Sequence, residues 1–247
     1  MSTSNPDSSP EKPDNGPVAS KAARPTAKLP QPVFDADIYA FSPNRETLGG
    51  TAYFMTAPSA DGANILVDCP AWTEANLDFL VQQGGVRWLV ITHRGGHSRV
   101  RDWQAKFSCD VVVQEQEAYL HPQVKTQTFG REHVLTDQHR LVWTPGHSPG
   151  SSCVYSSAHG GILFTGRHIL PNREGGAAPL RVSKTFHWPR QLQNIQRLLD
   201  QFAPQTLSYI CPGANTGFLR GKRYIDHAYE KLAQLDLQQL SKHQALL

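Results

Sequence analysis

Apolar positions along the chain switch repeatedly between a period of two and a period near 3.6. Residues 50–56 (GTAYFMT) alternate and are β-rich, and residues 63–68 (ANILVD) form a second apolar run ending in a carboxylate. Thr73 then precedes Leu77, Leu80 and Val81 at helical spacing, with Gly84 as the stop signal, so a capped helix is expected. Residues 86–92 (VRWLVIT) are the clearest buried strand and run straight into His93. A helix is expected over 101–107, and strands over 111–113 and 140–143. Residues 153–155 and 161–165 suit a hairpin turning through 158–161.

Pro189 fits the first turn of a helix carrying Leu192, Ile195, Leu198, Leu199 and Phe202. Residues 207–210 read as a strand leading into Cys211-Pro212-Gly213. A final helix is expected from near Gly221, with Ile225, Tyr229, Leu232, Leu235 and Leu240 on one face. Strands and helices in this order predict a layered α/β fold.

Composition changes this picture at one end. Residues 1–32 hold seven prolines, many Ser and Asp, and no aromatic residue. Such a segment buries too little apolar area to offset its ordering entropy. The expected organisation is a disordered Pro/Ser-rich tail over 1–32 and one domain over 33–247. With 24 Lys+Arg against 21 Asp+Glu the net charge is +3, which gives no reason to expect a nucleic-acid partner. No apolar run approaches the about 20 residues of a membrane span, so no membrane insertion is expected. Cys69, Cys109, Cys153 and Cys211 lie far apart with no CxxC pair, which suits buried thiols. The first residues lack the basic-then-apolar layout of a secretory signal, so a cytoplasmic protein is expected.

Chemistry-bearing residues collect where strands run out into loops. The junctions are Asp68-Cys69-Pro70, residues 92–97 (THRGGH), residues 144–151 (TPGHSPGS), residues 164–168 (FTGRH) and residues 211–215 (CPGAN). Loops after buried strands are where rigid scaffolds display functional side chains.

The order of these junctions resembles the metallo-β-lactamase-fold hydrolases, the glyoxalase II-like branch in particular. The 144–151 segment carries the resemblance most specifically, as it is similar to that branch's metal-histidine loop. Residues 164–166 resemble the strand that delivers a bridging Asp, and Pro212-Gly213 resembles the Pro-Gly-His turn near the end. The resemblance implies a four-layer αββα sandwich with metals at one sheet edge. It also implies a ligand motif T-H-x-H-x-D-H, of which only Thr92 and His93 stand here. Gly95, His97 and Ser98 occupy the other ligand positions, Arg167 the bridging Asp position and Ala214 the last His position. Of the family ligands, only His93 and His147 remain.

Two imidazoles are too few for a catalytic zinc, which usually takes three protein ligands. Arg167 is permanently cationic and accepts no hydrogen bond, so it opposes two dications at its side. The leading expectation is a non-zinc pseudoenzyme with no cofactor, taking a small anionic ligand or a protein partner. Its ligand pocket would comprise Asp68, His93, Arg94, His147, Arg167 and Asn215. Arg167 either holds the anion or plugs the site by pairing with Asp68. The alternative is a hydrolase of thioesters or esters with one divalent metal ion (zinc, manganese or iron) on His93, His97 and His147. His121 and the histidines at 133, 139, 159, 187, 227 and 243 have no motif around them. Arg220, Lys222 and Arg223 form a short basic cluster expected at the start of the last helix.

Overall fold

The computed structural model describes Met1, residues 28–57 and residues 63–246. Residues 2–27 of the expected tail lie outside the described residues, and the first strand starts at Gln31.

One sheet has seven strands in sequential order. These are β1 (Gln31–Phe34), β2 (Ile38–Ala40), β3 (Tyr53–Met55), β4 (Ile65–Val67), β5 (Trp88–Ile91), β6 (Asp110–Gln114) and β7 (Thr126–Phe129). The β1–β4 pairs are antiparallel; β4 to β7 run parallel, which requires crossovers. Helix α1 (Glu74–Gln82) joins β4 to β5, and α2 (Val100–Phe107) joins β5 to β6. Thr73 caps α1 as expected, its hydroxyl accepting from the Asn76 N–H at 3.3 Å.

The second sheet contains β8 (Glu132–Thr136), β9 (His139–Trp143), β10 (Ser152–Ser156) and β11 (Ile162–Gly166), all antiparallel neighbours. A two-stranded ribbon, β12 (Leu170–Pro171) with β13 (Ala177–Ala178), follows. Helix α3 (Trp188–Gln201) then leads to β14 (Tyr209–Pro212), parallel to β11, and to the edge strand β15 (Ile225–Asp226). Short helices α4 (Ala228–Ala233) and α5 (Leu237–Ser241) close the chain.

Three apolar clusters define four layers. Val90, Val112, Tyr53, Leu141, Val154, Phe164 and Cys211 fill the space between the sheets. Leu66, Leu89 and Trp103 pack the first sheet against α1 and α2. Leu163, Ile195, Leu198 and Leu232 pack the second sheet against α3 and α4. Each fully buried aliphatic side chain contributes about 2 kcal/mol of transfer free energy. The stack is an αββα sandwich. Among the described residues no helix is long and apolar enough to cross a membrane.

The last element differs from expectation. Ile225 lies in β15, paired with Ile210, and His227 turns the chain with φ +49 before α4 begins. Pairing with a distant strand outweighs the helical spacing of Ile225 with Tyr229 and Leu232. Arg220, Lys222 and Arg223 therefore sit in a loop ahead of β15, with no helix dipole opposing them. Lys222 pairs with Asp226 at 3.2 Å, and Arg223 donates to the Gln31 side chain at 3.0 Å.

Candidate functional site

The C-terminal ends of β4, β5, β9, β11 and β14 meet at one edge of the sandwich. The two sheets are tied there through backbone, Ser152 N–H donating to Thr92 O and Thr51 N–H to Gly213 O, each at 2.8 Å, while Gly213 N–H donates to Gly166 O at 2.7 Å within the second sheet. Every expected junction except the one around Asn215 contributes a side chain that is linked to this edge.

Asp68 and Thr92 frame the first half. Asp68 Oδ1 accepts the Thr92 N–H at 2.8 Å, and Oδ2 accepts the Thr92 hydroxyl at 2.7 Å. A Cβ on Gly96 would come within 2.2 Å of Asp68 Oδ1, so this close approach needs a glycine. Burial raises the Asp68 carboxyl to about 6, against the lowering effect of Thr92 and then of Arg167.

Thr92 also fixes His93. The Thr92 hydroxyl lies 3.0 Å from His93 Nδ1, and its proton is already directed to Asp68. His93 Nδ1 must then carry the hydrogen, leaving Nε2 as a bare acceptor. Burial, followed by His147 and Arg167, pushes His93 well below the ordinary imidazole range. It is a neutral ring, so its 3.8 Å approach to Asp68 is not an ion pair.

His147 comes from the β9–β10 loop, with its ring centroid 5.4 Å from that of His93. Burial, then Arg167 and Arg94, lower it to about 4. Sequence reasoning missed the brace behind this loop. Glu117, 2% exposed in the 3-10 turn Glu115–Leu120, accepts the Gly150 N–H at 3.1 Å. Nothing in its local sequence marks it, because its partner lies 33 residues away.

Arg167 follows β11. Its Nη2 donates to Leu48 O at 2.7 Å and to Thr47 O at 3.2 Å, whereas its Nε is buried and has no partner among the described residues. The pairing with Asp68 considered from sequence is not formed. Both Asp68 oxygens are taken up by Thr92, and Arg167 turns to the 47–48 carbonyls instead. His93 Nε2 is likewise buried without a partner. A Cβ built on Gly95 would lie 3.3 Å from His93 Nε2 and 3.9 Å from Arg167 Nε. Both unpartnered nitrogens therefore face the same point beside Gly95, where a side chain would begin.

The remaining candidates are more peripheral. Arg94 is exposed, with Nη2 held by Lys184 O at 2.8 Å. Asn215 is exposed at the head of the 3-10 turn Thr216–Leu219, with φ +57 and no capping hydrogen bond from its side chain among the described residues. His97 is half-buried and packs its ring edge-on to His121, centroids 5.1 Å apart. The Nε2 of His121 is buried and has no hydrogen-bond partner among the described residues. His168, next to Arg167, is 1% exposed with neither ring nitrogen partnered among the described residues, and burial followed by His147 lowers it to about 3. Burial raises the thiol of Cys153 to about 12 and that of Cys211 well above the usual thiol range, which favours the protonated thiol over the thiolate at both.

The donor set does not fit the family's dinuclear metal centre. At the positions where the resemblance expects ligands, Ser98 donates to Glu46 at 2.8 Å, Ala214 has no ligating atom and Arg167 carries a guanidinium. Among the described residues, no three His, Cys, Asp or Glu side chains are grouped to hold a metal ion, the set His93, His97 and His147 included.

No family model matches the chain, and no curated protein matches it. Solved structures do. An archaeal metallo-β-lactamase superfamily protein from Sulfolobus tokodaii is 14% identical and superposes with a TM-score of 0.55, covering 85% of this chain and 88% of that one. A metallo-β-lactamase from Staphylococcus aureus gives a TM-score of 0.60 at 14% identity, covering 85% of this chain and 67% of that one. A protein solved in a di-iron-bound form gives 0.58 at 17% identity, covering 74% of this chain and 92% of that one. With the four layers and the edge at which the strands end, these likenesses establish that the chain has the metallo-β-lactamase fold.

Proposed function

We propose that this protein is a non-zinc pseudoenzyme that binds a small anion at the β5–β11 edge. The observation that carries this is the pair of unpartnered nitrogens, His93 Nε2 and Arg167 Nε, bordering the space beside Gly95. They are of opposite kind. Arg167 donates and brings a permanent positive charge, whereas His93 Nε2 accepts. A plain carboxylate satisfies only the first. A hydroxy acid or a hydrogenphosphate satisfies both, because it carries an anionic oxygen and an O–H donor. Charge-assisted hydrogen bonds to a guanidinium supply the affinity, and the acceptor nitrogen supplies the preference for a ligand with its own proton.

The test is calorimetric titration with lactate, propionate and inorganic phosphate. Lactate and phosphate should bind more tightly than propionate, and Arg167→Ala should abolish binding of all three. Equal affinity for lactate and propionate would remove His93 from the site.

A bare imidazole lone pair also suits a metal, which keeps the single-metal hydrolase as a second reading. Untagged protein loaded with zinc, manganese or iron and then desalted decides between them. The anion reading expects no retained metal. About one metal per chain, lost in His147→Ala together with ester or thioester turnover, would replace it.

A further inference from the structure

Beside the loop that carries His147, and bordered by its Pro145, lies a basic concavity of about 330 Å³. Arg131, Arg190 and Arg197 line it with Trp143, Pro145 and Asn194, and no carboxylate does. None of the three arginines forms an ion pair among the described residues. The nearest acid in sequence, Glu132, is engaged by the Gln201 side chain at 2.9 Å. Three exposed guanidinium groups without a carboxylate partner make the hollow positively charged, and Arg190 stands in the first turn of α3, where a cation opposes the helix dipole. An anion complements both the charge and the dipole.

The hollow is also organised. Asn194, 2% exposed, accepts from Arg197 Nη1 at 2.7 Å and so fixes that guanidinium. The same Asn194 donates to Pro145 O and to Arg190 O, each at 2.8 Å, tying α3 to the His147 loop. Trp143 directs its indole N–H to Pro149 O at 2.9 Å. What it offers the hollow is therefore ring surface, not a donor.

We infer that this groove is a binding site for a phosphorylated, ring-bearing anion of mononucleotide size. The arginines would hold the phosphates in bidentate geometry and the indole would stack on the ring. Its walls, Trp143 and Pro145, are continuous with Gly146 and His147, so an occupant would also stiffen the loop that carries His147.

Titration calorimetry on the full chain with ADP, adenosine and inorganic phosphate tests this. ADP should bind, with phosphate weaker and adenosine weaker still, and affinity should fall as salt rises. The surface double variant Arg190→Glu, Arg197→Glu, confirmed folded by circular dichroism, should bind ADP at least about tenfold more weakly, about 1.4 kcal/mol. Arg167→Ala should leave ADP affinity unchanged, which separates this groove from the central site. No ADP binding at millimolar concentration, phosphate as tight as ADP, or loss in Arg167→Ala but not in the double variant would overturn the inference.

Discussion

The two halves of the central edge are built on opposite principles. On the β4–β5 side, Asp68, Thr92 and His93 Nδ1 form a closed hydrogen-bonded chain that leaves His93 Nε2 as the atom turned out without a partner among the described residues. On the β11 side, Arg167 Nε and both ring nitrogens of His168 are buried without one. A satisfied buried network rigidifies its surroundings, whereas unsatisfied buried groups cost stability. The first half is thus a frame that sets the tautomer of His93. The second half carries cost within the fold and reactivity toward a ligand.

The frame is most easily broken at Gly96. In Gly96→Ala the added Cβ would meet Asp68 Oδ1 at 2.2 Å, and Asp68 cannot retreat without losing both bonds to Thr92. Chemical denaturation should show a loss of about 3 kcal/mol, the upper range for overpacking a buried site. Anion affinity should fall with it, since His93 loses its orientation. A loss below about 1 kcal/mol would mean that the frame is softer than its hydrogen bonds imply.

How far this edge could be foreseen depended on how local each cause is. Thr73 capping α1 and Pro189 opening α3 are local signals, and both elements formed as expected. The strands β1, β7 and β8 were missed because they are partly exposed, and the buried β2 because it has only three residues; pairing across the sheet makes them strands. Ile225 was misplaced for the same reason. Asp68, His93, His147 and Arg167 were visible as residues at strand ends. What Arg167 touches was not, because the 47–48 carbonyls that hold it lie about 120 positions away in sequence. Glu117, bracing the His147 loop at Gly150, was invisible on the same ground.

The unsatisfied half is probed by His168→Leu, which replaces an unpartnered buried imidazole with an apolar side chain of similar size. Removing both unmet nitrogens should leave stability at neutral pH unchanged or raised. The pH dependence gives a second readout. The folded value is lowered to about 3 from the ordinary 6.5, so the unfolded chain takes up a proton that the fold refuses. Stability from this group is complete above about 6.5 and is lost as pH falls from there toward 3. His147 and His121, each lowered to about 4, act in the same sense. Asp68, raised to about 6 from 3.8, acts oppositely, because its folded form gains the proton first as pH falls. Wild-type protein should therefore weaken between pH 6.5 and 4. His168→Leu should weaken less, by at most a factor of about ten in the folding equilibrium per pH unit. Identical pH curves for the two proteins would mean that His168 finds a partner in solution.

The smallest effect separates the two arginines of the edge. Arg94 is exposed and donates to one backbone carbonyl, Lys184 O. Arg94→Ala should cost at most about 0.5 kcal/mol of stability, as for other surface positions. Its charge still reaches the buried rings, since it helps to lower both His93 and His147. Phosphate affinity should therefore drop only about twofold to threefold, and that drop should vanish near 1 M salt, where screening acts over about 3 Å. Arg167, with its Nε buried, is shielded from added salt, so the loss in Arg167→Ala should persist there. If Arg94→Ala abolished binding at every salt concentration, the anion would sit at the rim of the edge, and the space beside Gly95 would not be its site.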